Sequence, residues 1–100
     1  MKEMYRQGDV ALVKITKLPK KLVEKDKVLA LGETTGHKHQ FVSQSVQVFR
    51  DNKNNQFVDV KQDSELVHEE HHKLQIPKGK YKVVLQREFD LVSGTRQVLD

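Results

Sequence analysis

The feature that most constrains this chain is a two-residue alternation of apolar and polar side chains, interrupted every few positions by turn-forming residues. Alternation with period two places successive side chains on opposite faces of an extended strand. It is plain in Ser45 to Arg50, where Val46 and Val48 share a face, and in the run Gln56 to Lys61. Between them, Asp51-Asn52-Lys53-Asn54-Asn55 predicts a turn joining two antiparallel strands, because Asn and Asp tolerate left-handed backbone and bond their own main chain. Tyr81 to Leu91 predicts the longest strand, with Tyr81, Val83, Leu85, Phe89 and Leu91 on one face. Pro77-Lys78-Gly79-Lys80 turns the chain before it, and Ser93-Gly94 leads to a last short strand, Thr95 to Leu99. Gly8-Asp9 is a turn-like pair inside the run Met4 to Ile15. Leu18 to Leu31 reads as a short helix or a loop feeding a strand, with Pro19 as a breaker. The expected fold is a single all-β domain over residues 1–100, a small antiparallel β-barrel or sandwich of seven to eight strands. A barrel is favoured because closure removes exposed edges.

Composition narrows the chemistry. The 100 residues contain no cysteine, which excludes disulfides, thiolate ligands and cysteine nucleophiles. No run approaches the about 20 apolar residues of a membrane helix, and no basic-apolar-small opening suggests a secretory signal, so the expectation is a cytoplasmic protein. No G-x-S-x-G elbow or phosphate-binding glycine loop occurs. The net charge of +4 is uneven: Lys14, Lys17, Lys20, Lys21, Lys25 and Lys27 crowd one segment. Such a patch can attract nucleic acid or an acidic partner, or it can be a solvated loop. No aromatic side chain interrupts it as a stacking platform.

The five histidines fall in two groups, Gly36-His37-Lys38-His39 and His68-Glu69-Glu70-His71-His72. Imidazole is the commonest neutral metal ligand, and carboxylates often complete such sites. On a strand His37, His39 and Phe41 share a face, so two imidazoles project beside a core aromatic. The second group admits two readings. One extended strand over 66–76 aligns Leu66, His68, Glu70, His72, Leu74 and Ile76; a turn at Glu69-Glu70 instead lets His68 and His71 converge while His72 points to solvent. An eleven-residue strand is long for so small a protein, which ranks His71 above His72, with Glu70 ahead of Glu69. The expectation is one divalent transition metal (zinc, iron, manganese or nickel) held by His37, His39, His68 and His71, with Glu70 or His72 as substitutes.

On these residues the chain resembles a small cupin-type barrel: a glycine-bearing approach (Gly32, Gly36), an H-x-H pair (His37, His39) and a P-x-G turn (Pro77, Gly79). The resemblance implies a β-barrel with a metal at the histidine pair. The glutamate that cupins place after H-x-H and the histidine after P-x-G are absent, so the second histidine group would have to replace them. G-H-x-H, H-x-E-H and the Gln86-Arg87-Glu88 strand are similar to small uncharacterised bacterial and phage-associated proteins. That likeness implies no reaction.

Arg87, between Leu85 and Phe89, reads either as an anion clamp or as a structural ion pair with Glu70, Glu88 or Asp90. Tyr81 reads as a hydrogen-bond donor toward a pocket or as packing. Two functions follow: a divalent-metal-binding protein, structural or catalytic, with a small-molecule ligand if the metal keeps an open position; or a non-enzymatic interaction module, of phage or mobile-element type, working through Lys17, Lys20, Lys21, Lys25 and Lys27. Edge pairing through Thr95 to Leu99 would give a homodimer.

Overall fold

The alternating runs pair as their turns dictate. The computed structural model describes residues 3–31 and 37–85, and among these it contains ten strands. They are β1 (Met4–Gln7), β2 (Val10–Ile15), β3 (Val23–Lys25), β4 (Val28–Leu31), β5 (Lys38–Phe41), β6 (Val46–Arg50), β7 (Gln56–Val60), β8 (Ser64–Val67), β9 (Leu74–Ile76) and β10 (Gly79–Leu85). A six-stranded sheet runs β1-β2-β10-β7-β6-β3, and a four-stranded sheet runs β4-β5-β8-β9; all pairings are antiparallel. No described helix is long and apolar enough to cross a membrane.

Ten strands stand where seven to eight are expected because three apparent runs divide. Met4 to Ile15 folds back on itself at Gly8-Asp9, pairing Gln7 with Val10. Gly8 has φ +59° and Asp9 has no positive φ, the pattern of a type II′ hairpin, whose first central position favours glycine. Leu18 to Leu31 yields β3 and β4 rather than a helix, with Lys21 held at φ 63° after Pro19. The run from Glu65 to Ile76 breaks at Glu69–His71. The Asp51–Asn55 turn forms as expected: Asp51 Oδ1 accepts the N–H groups of Lys53 and Asn55, both at 2.9 Å, and Asn54 takes φ 68°. The strand expected over Tyr81 to Leu91 is seen as β10 to Leu85; its remainder, with Arg87, and Thr95 to Leu99 lie outside the described residues.

The favoured barrel does not close; the sandwich alternative forms. At one side the chain crosses from β3 to β4 within two residues, and Gln56 of β7 donates to the Leu29 carbonyl of β4 at 2.8 Å. At the other side β9 has three residues and the preceding turn diverts the chain, so among the described residues side chains rather than a strand ladder bridge β1 to the small sheet. Val10, Leu12, Val46, Val48, Val58, Val60 and Tyr81 of the large sheet and Phe41, Leu66 and Ile76 of the small one are at most 1% exposed and form one cluster. Each such side chain contributes roughly 1.5–3 kcal/mol by leaving water, so the shared core holds the two sheets together.

Tyr81 sits in that core. Its ring meets Tyr5 edge-on at 6.0 Å, and its hydroxyl donates to the Pro77 carbonyl at 2.7 Å. Burial pushes the phenol up to about 12. The folded chain therefore keeps this proton where an unfolded tyrosine, near 10, loses it, so stability is fully present below about pH 10 and falls as pH rises beyond it. Tyr81→Phe should cost about 1 kcal/mol at neutral pH. It should also flatten the loss of stability between pH 9 and 11 in urea titrations; an unchanged pH slope would contradict this role.

Candidate metal centre

The centre is assembled at the seam where the β1–β2 hairpin meets β5 and the β8–β9 connection. Alternation along β5 buries His39 and Phe41 and exposes Lys38. His39 is fully buried, and its Nδ1 lies 2.9 Å from Gln7 Oε1. The orientation of Gln7 is fixed, because its amide nitrogen donates to the carbonyls of Leu66 at 2.8 Å and His72 at 2.9 Å. Its oxygen must therefore face His39, so Nδ1 of His39 carries the proton and Nε2 presents a lone pair in the neutral ring. Asp9, also buried, places Oδ1 3.3 Å from that Nε2. Such a separation matches the about 3.3 Å edge between two ligands of one tetrahedral ion with bonds of roughly 2.0 Å.

Of the two readings of the second histidine group, the turn is what forms. β8 ends at Val67, the chain bends through Glu69–His71, and β9 begins at Leu74. His68 Nδ1 accepts the backbone N–H groups of Glu70 at 3.0 Å and His71 at 3.2 Å, which pins the turn. The ring centroid of His68 lies 4.2 Å from that of His39 and 4.5 Å from that of His71. One nitrogen each from His39, His68 and His71 lies within 4.8 Å of the others. Nε2 of His68 and of His71 is buried without a hydrogen-bond partner among the described residues. Burial first, then the neighbouring His71, lowers the His68 pKa and favours the neutral, metal-binding form. Because Nδ1 of His68 is an acceptor, its proton is on Nε2, and a metal at that nitrogen must displace it.

The other expected ligands stand apart. His72 is exposed and contributes only its carbonyl, to Gln7. His37 forms a second, outer grouping with His68 and Glu69, again within 4.8 Å. Glu70 is exposed, 3.6 Å from His37 Nδ1. Glu69 accepts the Lys38 backbone N–H at 2.8 Å, which holds its carboxyl below the usual range. Gln7, Gly8 and Asp9 are the site residues that sequence reasoning missed. A Cβ on Gly8 would stand 2.6 Å from His71 Nε2 and 3.2 Å from His39 Cε1, so the hairpin residue must be glycine for the imidazoles to pack against it. The available signal was a carboxylate directly preceding three fully buried residues, Val10, Ala11 and Leu12. Arg87 lies outside the described residues.

In the lysine segment some side chains are engaged by their own chain and others are exposed. Lys25 donates to the Val28 carbonyl at 2.6 Å and to Asp26, and Lys27 donates to the Ser43 carbonyl at 2.6 Å. Lys14 pairs with Glu3 at 3.0 Å. Lys17, Lys20 and Lys21 are exposed.

Removing the Gln7 amide strands the buried His39 N–H and Leu66 carbonyl and the part-buried His72 carbonyl. Each buried unpaired group costs about 1–3 kcal/mol, so Gln7→Ala should destabilise by about 3 kcal/mol or more in chemical denaturation. A loss below about 0.5 kcal/mol would mean that the amide does not hold the seam.

No curated protein and no solved structure matches the chain. A family model does match, over residues 6–86, from before Gly8-Asp9 to the end of β10 and so across both histidine groups. The chain belongs to the family described as a domain of unknown function, DUF8820.

Proposed function

We propose that this chain binds one divalent transition-metal ion through His39, His68 and His71, with Asp9 beside the fourth position, and that the ion ties the two sheets together at their open seam. The observation that carries the reading is the buried convergence of three imidazole nitrogens, one with its tautomer fixed by Gln7. Metal-binding histidines usually donate their second N–H to a carbonyl-type oxygen, as His39 does to Gln7. A set of three imidazoles suits zinc, iron or nickel better than manganese, which prefers oxygen donors. The donors come from β5 and the β8–β9 turn, and Asp9 from the β1–β2 hairpin, so a bound ion would link both sheets where no strand ladder among the described residues does. His68 is the weakest donor, because ligation displaces its Nε2 proton while Nδ1 stays tied to two N–H groups. The interaction-module reading has less support, since Lys25 and Lys27 are engaged by their own chain.

Zinc added to about 100 times its Kd should stabilise the chain by about 2.7 kcal/mol, raising the midpoint on the order of 10 °C. A chelator should reverse the gain. His39→Ala and His71→Ala should abolish it, and His68→Ala should reduce it. Elemental analysis of untagged protein should find about one ion per chain, and less than about 0.2 after reconstitution would overturn the proposal.

Gly8→Ala gives a separate check. The new Cβ would displace His71, and the left-handed φ adds a backbone cost of about 1 kcal/mol. Zinc affinity should fall by on the order of 10-fold or more, a change of at least about 1.4 kcal/mol, in calorimetric titration. Unchanged affinity would remove His71 from the ligand set.

A further inference from the structure

Two ligand groupings share one residue. The inner one is His39, His68 and His71; the outer one is His37, His68 and Glu69. His39 (0% exposed) and His68 (8%) are buried, His37 and His71 are half-buried, and Glu69 and Glu70 are exposed. His68 stands between the two, edge-on to His37 at 5.6 Å and tilted against His39 at 4.2 Å. A surface cleft of about 240 Å³ beside the outer grouping is lined by Lys38, Gln40, Val67, His68 and Glu69. Since Nδ1 of His68 is occupied by two backbone N–H groups, both groupings must use Nε2. Ligation releases the Nε2 proton to solvent, and the single lone pair so freed cannot serve two ions.

On the metal reading above, we propose that the cation enters through the outer grouping and is passed by His68 to the inner one, so the two positions are filled in turn and never together. His37 and the carboxylate of Glu69, with Glu70 alongside, form a capture site at the mouth. The two carboxylates draw a hydrated cation in a chain whose net charge is otherwise positive. Exchange of water for imidazole can then proceed one ligand at a time, without stripping the ion bare before it meets the buried nitrogens.

The test is stopped-flow uptake of cobalt(II) by the full chain, read by its visible absorption, with Glu69→Gln and His37→Ala as variants. Glu69→Gln keeps an oxygen for the Lys38 N–H while removing the charge. Each variant should slow uptake by on the order of 10-fold. Both should still reach one cobalt per chain, with the wild-type final spectrum. Added salt should slow the wild type and affect Glu69→Gln much less. Unchanged uptake rates, two cobalt ions per wild-type chain, or an altered final spectrum in His37→Ala would each overturn the route while leaving the inner site standing. Failure of the wild type to take up any cobalt would overturn the metal reading itself, and the route with it.

Discussion

The side-chain amide of Gln7 is the constraint on which the rest of the centre depends. It is 3% exposed and uses three polar contacts at once: two N–H bonds to the carbonyls of Leu66 and His72, and an oxygen turned to His39. The first two join β1 to the small sheet where backbone pairing stops. The third fixes which nitrogen of His39 bears hydrogen. A structural stitch and the protonation pattern of a buried imidazole therefore share one group. Neither a carboxylate nor an aliphatic side chain at this position can make all three contacts, since one lacks donors and the other lacks every polar atom.

Burying two imidazoles, the Nε2 of a third and a carboxylate between sheets is unfavourable unless something compensates. Burial holds His68 toward its neutral form, backbone N–H groups hold its ring, and Gln7 holds His39. These groups also lie where the sandwich fails to close. A continuous strand ladder would satisfy the same backbone groups with less polar burial, but β9 is too short to supply one, because the turn that carries His68 and His71 takes up the chain before it. The open seam and the histidine cluster are two consequences of the same break after Val67.

Much of the fold is legible in the chain because its signals are local. The Asp51–Asn55 turn, the alternation in β6 and the shared face of His39 and Phe41 each depend on a handful of adjacent residues. The histidine groups stand out by clustering alone. Gln7, Gly8 and Asp9 do not, because their meaning rests on partners far along the chain: the Gln7 bond to Leu66 spans 59 residues. Read locally, they are the tip of a hairpin. Tyr81 leaves two readings open in the sequence, and its ring packs in the core while its hydroxyl is spent on the Pro77 carbonyl two positions before its own strand begins.

By itself, the order of residues determined that this chain forms short antiparallel strands, that it can use no thiol chemistry, and that its imidazoles lie in two tight groups. Backbone geometry enforces those outcomes within a few residues, so they hold whatever the chain packs against. Tertiary structure alone decided that two sheets stay open and that a glycine and a glutamine from the first hairpin complete the centre. Those outcomes depend on which distant backbone groups are left without partners, a quantity that exists only once both sheets are in place.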